Sequence, residues 1–246
     1  MPRKCGDVKV KKLSDAMELV RRKFPQLLSF DPVVNRVVPL VPLKDAEVLD
    51  PFEAEVRDRT AREFIDLLGG KVGVTGSLLY DDRHNDLDFL SFDEHHYVKL
   101  RELREGGITS PLESHEKNEV EGLREECFAE FKRSRVLEGV FRGVPYTFKI
   151  VKCIEEGEVV KERQVEGEFV IVNAMKPFSI PVLYEAVGET RVVLKSYRTR
   201  FTELNEGLKL SLRAPAQLRK DQNTWEVNLD WGEAIGCSRE AQRARS

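Results

Sequence analysis

Val72-Gly-Val-Thr-Gly76-Ser77-Leu-Leu-Tyr-Asp-Asp-Arg-His-Asn-Asp86-Leu-Asp88-Phe-Leu90 is the stretch on which the fold turns. Residues 71–75 alternate as a short strand, Gly76-Ser77 makes a turn, and 86–92 alternates again with Leu87 and Phe89 on one face. Side chains two apart on a strand point the same way, so Asp86 and Asp88 are expected to project together while Leu87 and Phe89 enter the core. Two carboxylates on one face repel unless a cation sits between them. A hard divalent ion such as Mg²⁺ (or Mn²⁺), held by one or two carboxylates plus phosphate oxygens of the substrate, is the usual solution. Gly76 lets the backbone approach a phosphate closely, and a helix opening at Ser77 would offer N–H groups and a hydroxyl as an anion site. A phosphate cradle beside a metal clamp suits phosphoryl or nucleotidyl transfer, where catalysis is mainly positioning and charge neutralisation.

Outward from this hairpin, Asp50 is the expected N-cap and Pro51 the first position of a helix over 50–68, carrying Phe52, Val56, Ala61, Phe64, Ile65 and Leu68 and stopped by Gly69-Gly70. Earlier, a helix over 13–24 ends at Pro25, and 29–49 is extended chain with Pro32, Pro39 and Pro42 among valines. Later come helices over 94–104 and 113–134, then β-branched and aromatic runs at 139–143, 146–153, 159–165 and 168–172. The last third holds short β-like runs at 181–186, 191–196, 208–212 and 224–229, the spacing of a small barrel or sandwich. A boundary is expected near Met175–Phe178, which divides the chain into 1–175, 176–236 and a frayed polar tail at 237–246.

The order strand, Gly-Ser, short spacer, Asp-Leu-Asp resembles the signature of the polymerase-beta-like nucleotidyltransferase superfamily. The match covers about residues 50–92. Gly76 and Ser77 fall on the family's phosphate-binding pair, and Asp86 and Asp88 on its metal-binding acids, each flanked by a hydrophobic residue. More loosely, the run from this hairpin through 139–151 to the β-rich C-terminus resembles uncharacterised archaeal proteins predicted to be nucleotidyltransferases. The resemblance implies an α+β fold, with a nucleotidyltransferase-like mixed sheet and flanking helices ahead of the small antiparallel β-barrel or sandwich. It also implies an NTP substrate with Mg²⁺ or Mn²⁺, and a nucleotidyl acceptor that is RNA, a protein side chain or a small molecule. The family has a third acid on a neighbouring strand, and here the pattern departs. The strand 146–153 offers Thr147, Lys149 and Val151 on one face and Phe148 and Ile150 on the other, with Lys149 where an acid is expected. A protonated lysine can neutralise a phosphate or pair with Asp86, but it cannot ligate a metal. Glu155, Glu156 and Glu158 in the following turn are the remaining candidates. The alternative function is therefore a catalytically degenerate relative that binds nucleotide or RNA, or serves as an assembly module.

Composition narrows the setting. The 246 residues carry 40 basic and 43 acidic side chains, a net charge of -3, so nucleic-acid binding would need a local patch. The 34% charged fraction resembles ion-pair-rich thermophile surfaces. No run of about 18 apolar residues is present, so no membrane segment is expected. Cys5, Cys127, Cys153 and Cys237 are scattered with no C-x-x-C pair, which argues against a zinc ribbon and a secreted disulfide framework; no disulfide staple is expected, and a reducing cytoplasm fits best.

Other conspicuous residues receive plainer readings. Asp81, Asp82, Arg83 and His84 read as a solvated spacer. His95-His96 face apart on a helix and His115 is an exposed residue near a helix start, so none is expected to bind metal. Arg191, Lys195, Arg198, Arg200, Lys209, Arg213, Arg219 and Lys220, with Tyr197, Phe201 and Trp225, form an ordinary charged surface more readily than a wall for single-stranded nucleic acid, because acids are interleaved. Phe128, Phe131, Phe141, Tyr146 and Phe148 are assigned to the core.

Overall fold

The computed structural model describes residues 3–5, 8–10, 13–80, 84–113, 123–220 and 222–239. The N-terminal part carries the hairpin β1 (Arg3–Cys5) and β2 (Val8–Val10), helix α1 (Leu13–Lys23), and a second hairpin, β3 (Leu28–Asp31) with β4 (Arg36–Pro39). Helix α2 (Arg59–Leu68) starts later than Asp50 suggests. Asp58 is its N-cap, accepting from Ala61 N at 2.7 Å, while Asp50 closes a separate turn by accepting from Phe52 N at 2.8 Å. The stop is where it was expected, with Gly69 and Gly70 at φ +67° and +69°.

Then follow β5 (Gly73–Thr75), the single-turn helix α3 (Ser77–Tyr80), β6 (Leu87–Ser91), α4 (His95–Glu105), β7 (Thr109–Ser110), α5 (Glu125–Ser134), β8 (Glu138–Phe141) and β9 (Val144–Val151). Most of the start of the expected helix over 113–134, His115 included, lies outside the described residues. The strands form a mixed sheet in the order β5-β6-β9-β8-β7, with β6 and β9 parallel. One face is apolar: Val74, Leu87, Phe89, Phe141, Tyr146, Phe148 and Ile150 pack under Ala61, Phe64 and Leu68 of α2 and Leu100 of α4. Phe64 sits at the centre, its ring 4.8 to 5.2 Å from those of Phe89, Phe141 and Tyr146. The opposite face, with Thr75, Asp88, Leu90, Thr147 and Lys149, is only half-buried.

The second sheet begins with β10 (Val159–Lys176), one 18-residue strand where two were expected. After it come β11 (Ser179–Ile180), β12 (Val182–Val187), β13 (Arg191–Ser196), β14 (Leu208–Arg219), β15 (Glu226–Asn228) and β16 (Glu233–Arg239). Strand β10 pairs with β12, β12 with β13, β13 in parallel with β15, β15 with β14, and β14 again with β10, so these pairings close a ring onto which β16 adds. The change of sheet falls between Val151 and Val159, ahead of the boundary expected near residue 175. The ring encloses its own core, which α5 completes with Cys127, Phe128 and Phe131.

The expectation that no disulfide is needed is overturned. Cys127 on α5 and Cys237 on β16 form a disulfide across 110 residues, with Cα atoms 5.9 Å apart. Distance along the chain had hidden a spatial neighbour. Closing so long a loop removes much freedom from the unfolded chain. The tail expected to fray from Cys237 is strand-paired through Arg239, and 240–246 lie outside the described residues. Among the described residues no helix is long and apolar enough to cross a membrane.

The two sheets are fastened to each other. Strand β11, from the connection between β10 and β12, pairs in parallel with the end of β9. Glu203, at φ +62°, accepts from Val136 N, Leu137 N and the Tyr97 hydroxyl. Burial pushes its carboxyl above the usual range, partly offset by those donors and by the nearby Arg135 guanidinium. Arg135 is itself fully buried and held by Glu138 and by Arg200 O. Glu203→Ala strips the acceptor from two buried N–H groups and from the Tyr97 hydroxyl, and removes a carboxylate that, besides Glu138, acts on the buried Arg135. Urea denaturation should register a loss of roughly 3–5 kcal/mol, against under about 1 kcal/mol for Glu63→Ala, whose ion pair with Arg142 is exposed.

Candidate phosphate and metal site

Antiparallel pairing sets Thr75 of β5 opposite Asp88 of β6, so the turn that follows Thr75 folds back onto that acid. Gly76 has φ +64°, and a Cβ built there would lie 2.1 Å from Asp88 Oδ2 and 2.9 Å from its Cγ. Only glycine fits, for two independent reasons: the left-handed backbone and the carboxylate against its Cα. Helix α3 opens at Ser77 as expected, but it is a single turn, closed by Leu79 N donating to Gly76 O at 3.2 Å.

Strand β6 alternates cleanly, with Leu87, Phe89 and Ser91 buried and Asp88 and Leu90 half-buried on the open face. Parallel pairing puts Thr147 beside Asp88 and Lys149 beside Leu90, which brings Lys149 onto the same face one row along. Its Nζ donates to Asp88 Oδ1 at 3.2 Å. Gly76, Ser77, Asp88 and Lys149 are thereby gathered at one end of the open face. Asp86 differs from expectation: the strand begins at Leu87, and Asp86 stands exposed in the bend just before it.

Among the described residues no group of three or more His, Cys, Asp or Glu side chains is arranged to hold a metal ion. Of the glutamates after β9, Glu156 does not supply the missing acid. Glu156 points to the second sheet, where its carboxylate is 2.7 Å from both Lys195 and Arg219 and accepts from the Tyr197 hydroxyl. A carboxylate the sequence reading did not consider is Glu138. Pairing aligns Thr75, Asp88, Thr147 and Glu138 in one row across four strands, and side chains in one row share a face. Glu138 is nevertheless committed to the buried Arg135, which would be left an uncompensated cation without it. No local sequence signal marks that row, because strand pairing creates it.

Two of the histidines serve the scaffold. His96 is buried, its Nδ1 2.8 Å from Ser91 Oγ and its Nε2 2.8 Å from Gly69 O, so it ties α4 to β6 and to the end of α2. His84 is less solvated than expected, with Nε2 3.5 Å from Asp58 at the cap of α2. Asp81, Asp82 and Arg83 lie outside the described residues. The C-terminal basic residues are largely matched by acids: Arg191 by Glu185, Lys209 by Glu168, Arg213 by Glu166, and Lys195 and Arg219 by Glu156 and Glu226.

Compared with known proteins, the chain matches no protein-family model, no curated protein and no solved structure.

Gly76→Ala and Gly69→Ala make a controlled pair. Both glycines are left-handed, but nothing lies within 4 Å of a Cβ at Gly69. Gly69→Ala should cost roughly 1–3 kcal/mol from its backbone, which at φ +67° and ψ -179° is a conformation almost confined to glycine, and Gly76→Ala about 1–3 kcal/mol more because Asp88 must also move. Chemical denaturation of both variants measures the difference.

Proposed function

We propose that this chain is a nucleotidyltransferase-type protein that grips the phosphates of an NTP at the Gly76-Ser77 turn and transfers the nucleotidyl group to an acceptor. The single observation behind this reading is the seating of the Gly76 turn directly on Asp88, with Lys149 on the same face. An anion held by the turn then lies next to one carboxylate and one ammonium, an arrangement suited to a phosphate that arrives with its own cation. In finer terms, the first sheet with α2 and α4 is read as a nucleotidyltransferase-like domain, and the closed ring of strands as a small barrel that braces it.

Asp86 and Asp88 are the residues that would hold Mg²⁺ or Mn²⁺. Two carboxylates suit such an ion when substrate phosphate oxygens supply the rest of its shell. Bound there, the ion would neutralise charge on the transferring phosphate. In the reaction the acceptor's hydroxyl oxygen bonds to the α-phosphorus and releases its proton to solvent, the bond from that phosphorus to the oxygen bridging to the β-phosphate breaks, and pyrophosphate leaves. Lys149 has two tasks in this scheme. It neutralises Asp88 before substrate arrives, and its flexible, partly exposed ammonium then turns to the phosphates. The acceptor is RNA, a protein side chain or a small molecule; the matched charges on the barrel give no support to a backbone-tracking groove. A cytoplasmic, thermophilic setting accommodates both the ion-pair-rich surface and the disulfide, since intracellular proteins of hyperthermophiles carry such bonds.

A second reading is favoured by the Lys149–Asp88 pair itself. If the ammonium stands permanently where the metal charge would be, the site binds nucleotide without transfer. Labelled NTPs incubated with Mg²⁺ or Mn²⁺ and candidate acceptors separate the two. Transfer that falls by roughly 100-fold or more in Asp88→Asn supports the enzyme. Binding without turnover, together with tighter Mn²⁺ binding in Lys149→Ala, supports the binder. Absence of both binding and transfer with every NTP sinks the proposal.

A further inference from the structure

Beyond the polar end of the open face lies an aromatic end that the phosphate chemistry does not use. Phe92 directly follows β6 and is 53% exposed. Its ring lies 5.3 Å from that of Phe52, tilted by 32°. Phe52 belongs to the same face as Asp88. Val74 is buried toward the helices, so Gly73 and Thr75 point the other way, and a Cβ at Gly73 would meet Pro51 and Phe52 at 3.0 to 3.1 Å. Lys71 Nζ stands 5.0 Å from the Phe52 ring centre. The backbone beneath Phe92 is pinned: Asp93 N donates to Ser91 Oγ at 3.0 Å, His95 N to Asp93 Oδ1 at 2.9 Å, and Lys152 Nζ to Phe92 O at 3.4 Å.

One continuous face therefore runs from an anion-holding turn with Asp88 and Lys149, past the half-buried Leu90, to a fixed pair of aromatic rings. Asp88 and Phe92 are four residues apart, about 13 Å along a strand. That span is comparable with the reach of a nucleoside triphosphate from its phosphates to its base.

We infer that Phe92, backed by Phe52, is the stacking platform for the nucleobase of a nucleoside triphosphate whose phosphates lie at the Gly76-Ser77 turn. The inference rests on the phosphate reading above and adds the base subsite to it. Stacking on an aromatic ring accepts any base, because each has a π-face, so the four NTPs should bind with similar strength. Tyr80 is also exposed, but it ends the helix that opens at the turn and stands at the phosphate end.

The test is calorimetric titration of the full chain with each of the four NTPs and with inorganic tripolyphosphate, all with Mg²⁺. Wild type should bind the NTPs about tenfold more tightly than tripolyphosphate. Phe92→Ala should erase that advantage and leave tripolyphosphate affinity unchanged, and Phe92→Trp should keep it. An exposed ring can be removed without unfolding the chain, which an unchanged Tm verifies, and Phe92→Trp carries the test if the alanine variant fails to fold. The base subsite is overturned if wild type binds tripolyphosphate as tightly as NTP, if Phe92→Ala retains the preference, or if the preference disappears with Tyr80→Ala instead. If wild type binds neither NTP nor tripolyphosphate, the phosphate reading falls and the platform with it.

Discussion

The carboxylate of Asp88 fills the space that a side chain at Gly76 would take, and much of the first sheet is arranged around that close approach. A Cβ at position 76 would force the acid at 88 to move in this register. The turn must be left-handed, the strand after it must return antiparallel, and the acid must lie on the face away from the helices. Parallel pairing with β9 then brings a lysine to the same carboxylate, giving the acid a partner in a partly exposed place. Each of these features alone is ordinary. Together they put a small-residue turn, an acid and a cation side by side on one face.

The scaffold behind the site is unusually well tied. The buried face of the sheet is a stack of aromatic rings centred on Phe64, which leaves β6 and β9 little freedom to slide. The end of β9 is also paired with β11 from the second sheet, and Glu203 from the β13–β14 connection caps the chain entering β8. Glu156, just beyond β9, anchors in an ion-pair group with Lys195, Arg219 and Glu226. The strand that carries Lys149 is thus held at its far end by the ring of strands. The hairpin β3–β4 joins the same assembly, through Arg36 on Glu162 at 2.8 Å and Val159 N on Pro32 O at 3.0 Å.

Features governed by local chemistry were legible in the sequence. The hairpin with its glycine turn, the Gly69-Gly70 stop, the alternation of Leu87 and Phe89, and the burial of Phe128, Phe131, Phe141, Tyr146 and Phe148 all follow from periodicity or backbone freedom. Features made by pairing distant segments were not. The disulfide joins residues 110 apart, Glu138 joins the row of Asp88 only through two strand registers, and β11 is too short to alternate visibly. Helix α2 illustrates a competition between equal signals. Asp50-Pro51 and Asp58 both look like caps, and the chain uses the second, where Ala61, Phe64 and Leu68 begin a buried stripe. Asp86 illustrates how a strand end escapes sequence reading: the strand starts one residue later, at Leu87, and leaves Asp86 in the bend before it.

The central claim is that the Gly76 turn, Asp88 and Lys149 form one phosphate-binding place. Its most direct measurement is a crystal structure of the chain grown with a non-hydrolysable NTP analogue and Mn²⁺. On this account, phosphate density lies within hydrogen-bond distance of backbone N–H groups of the Gly76-Ser77 turn and of Lys149 Nζ, with Mn²⁺ anomalous signal at Asp86 and Asp88. Phosphate density elsewhere on the chain, with Lys149 still on Asp88, would contradict it.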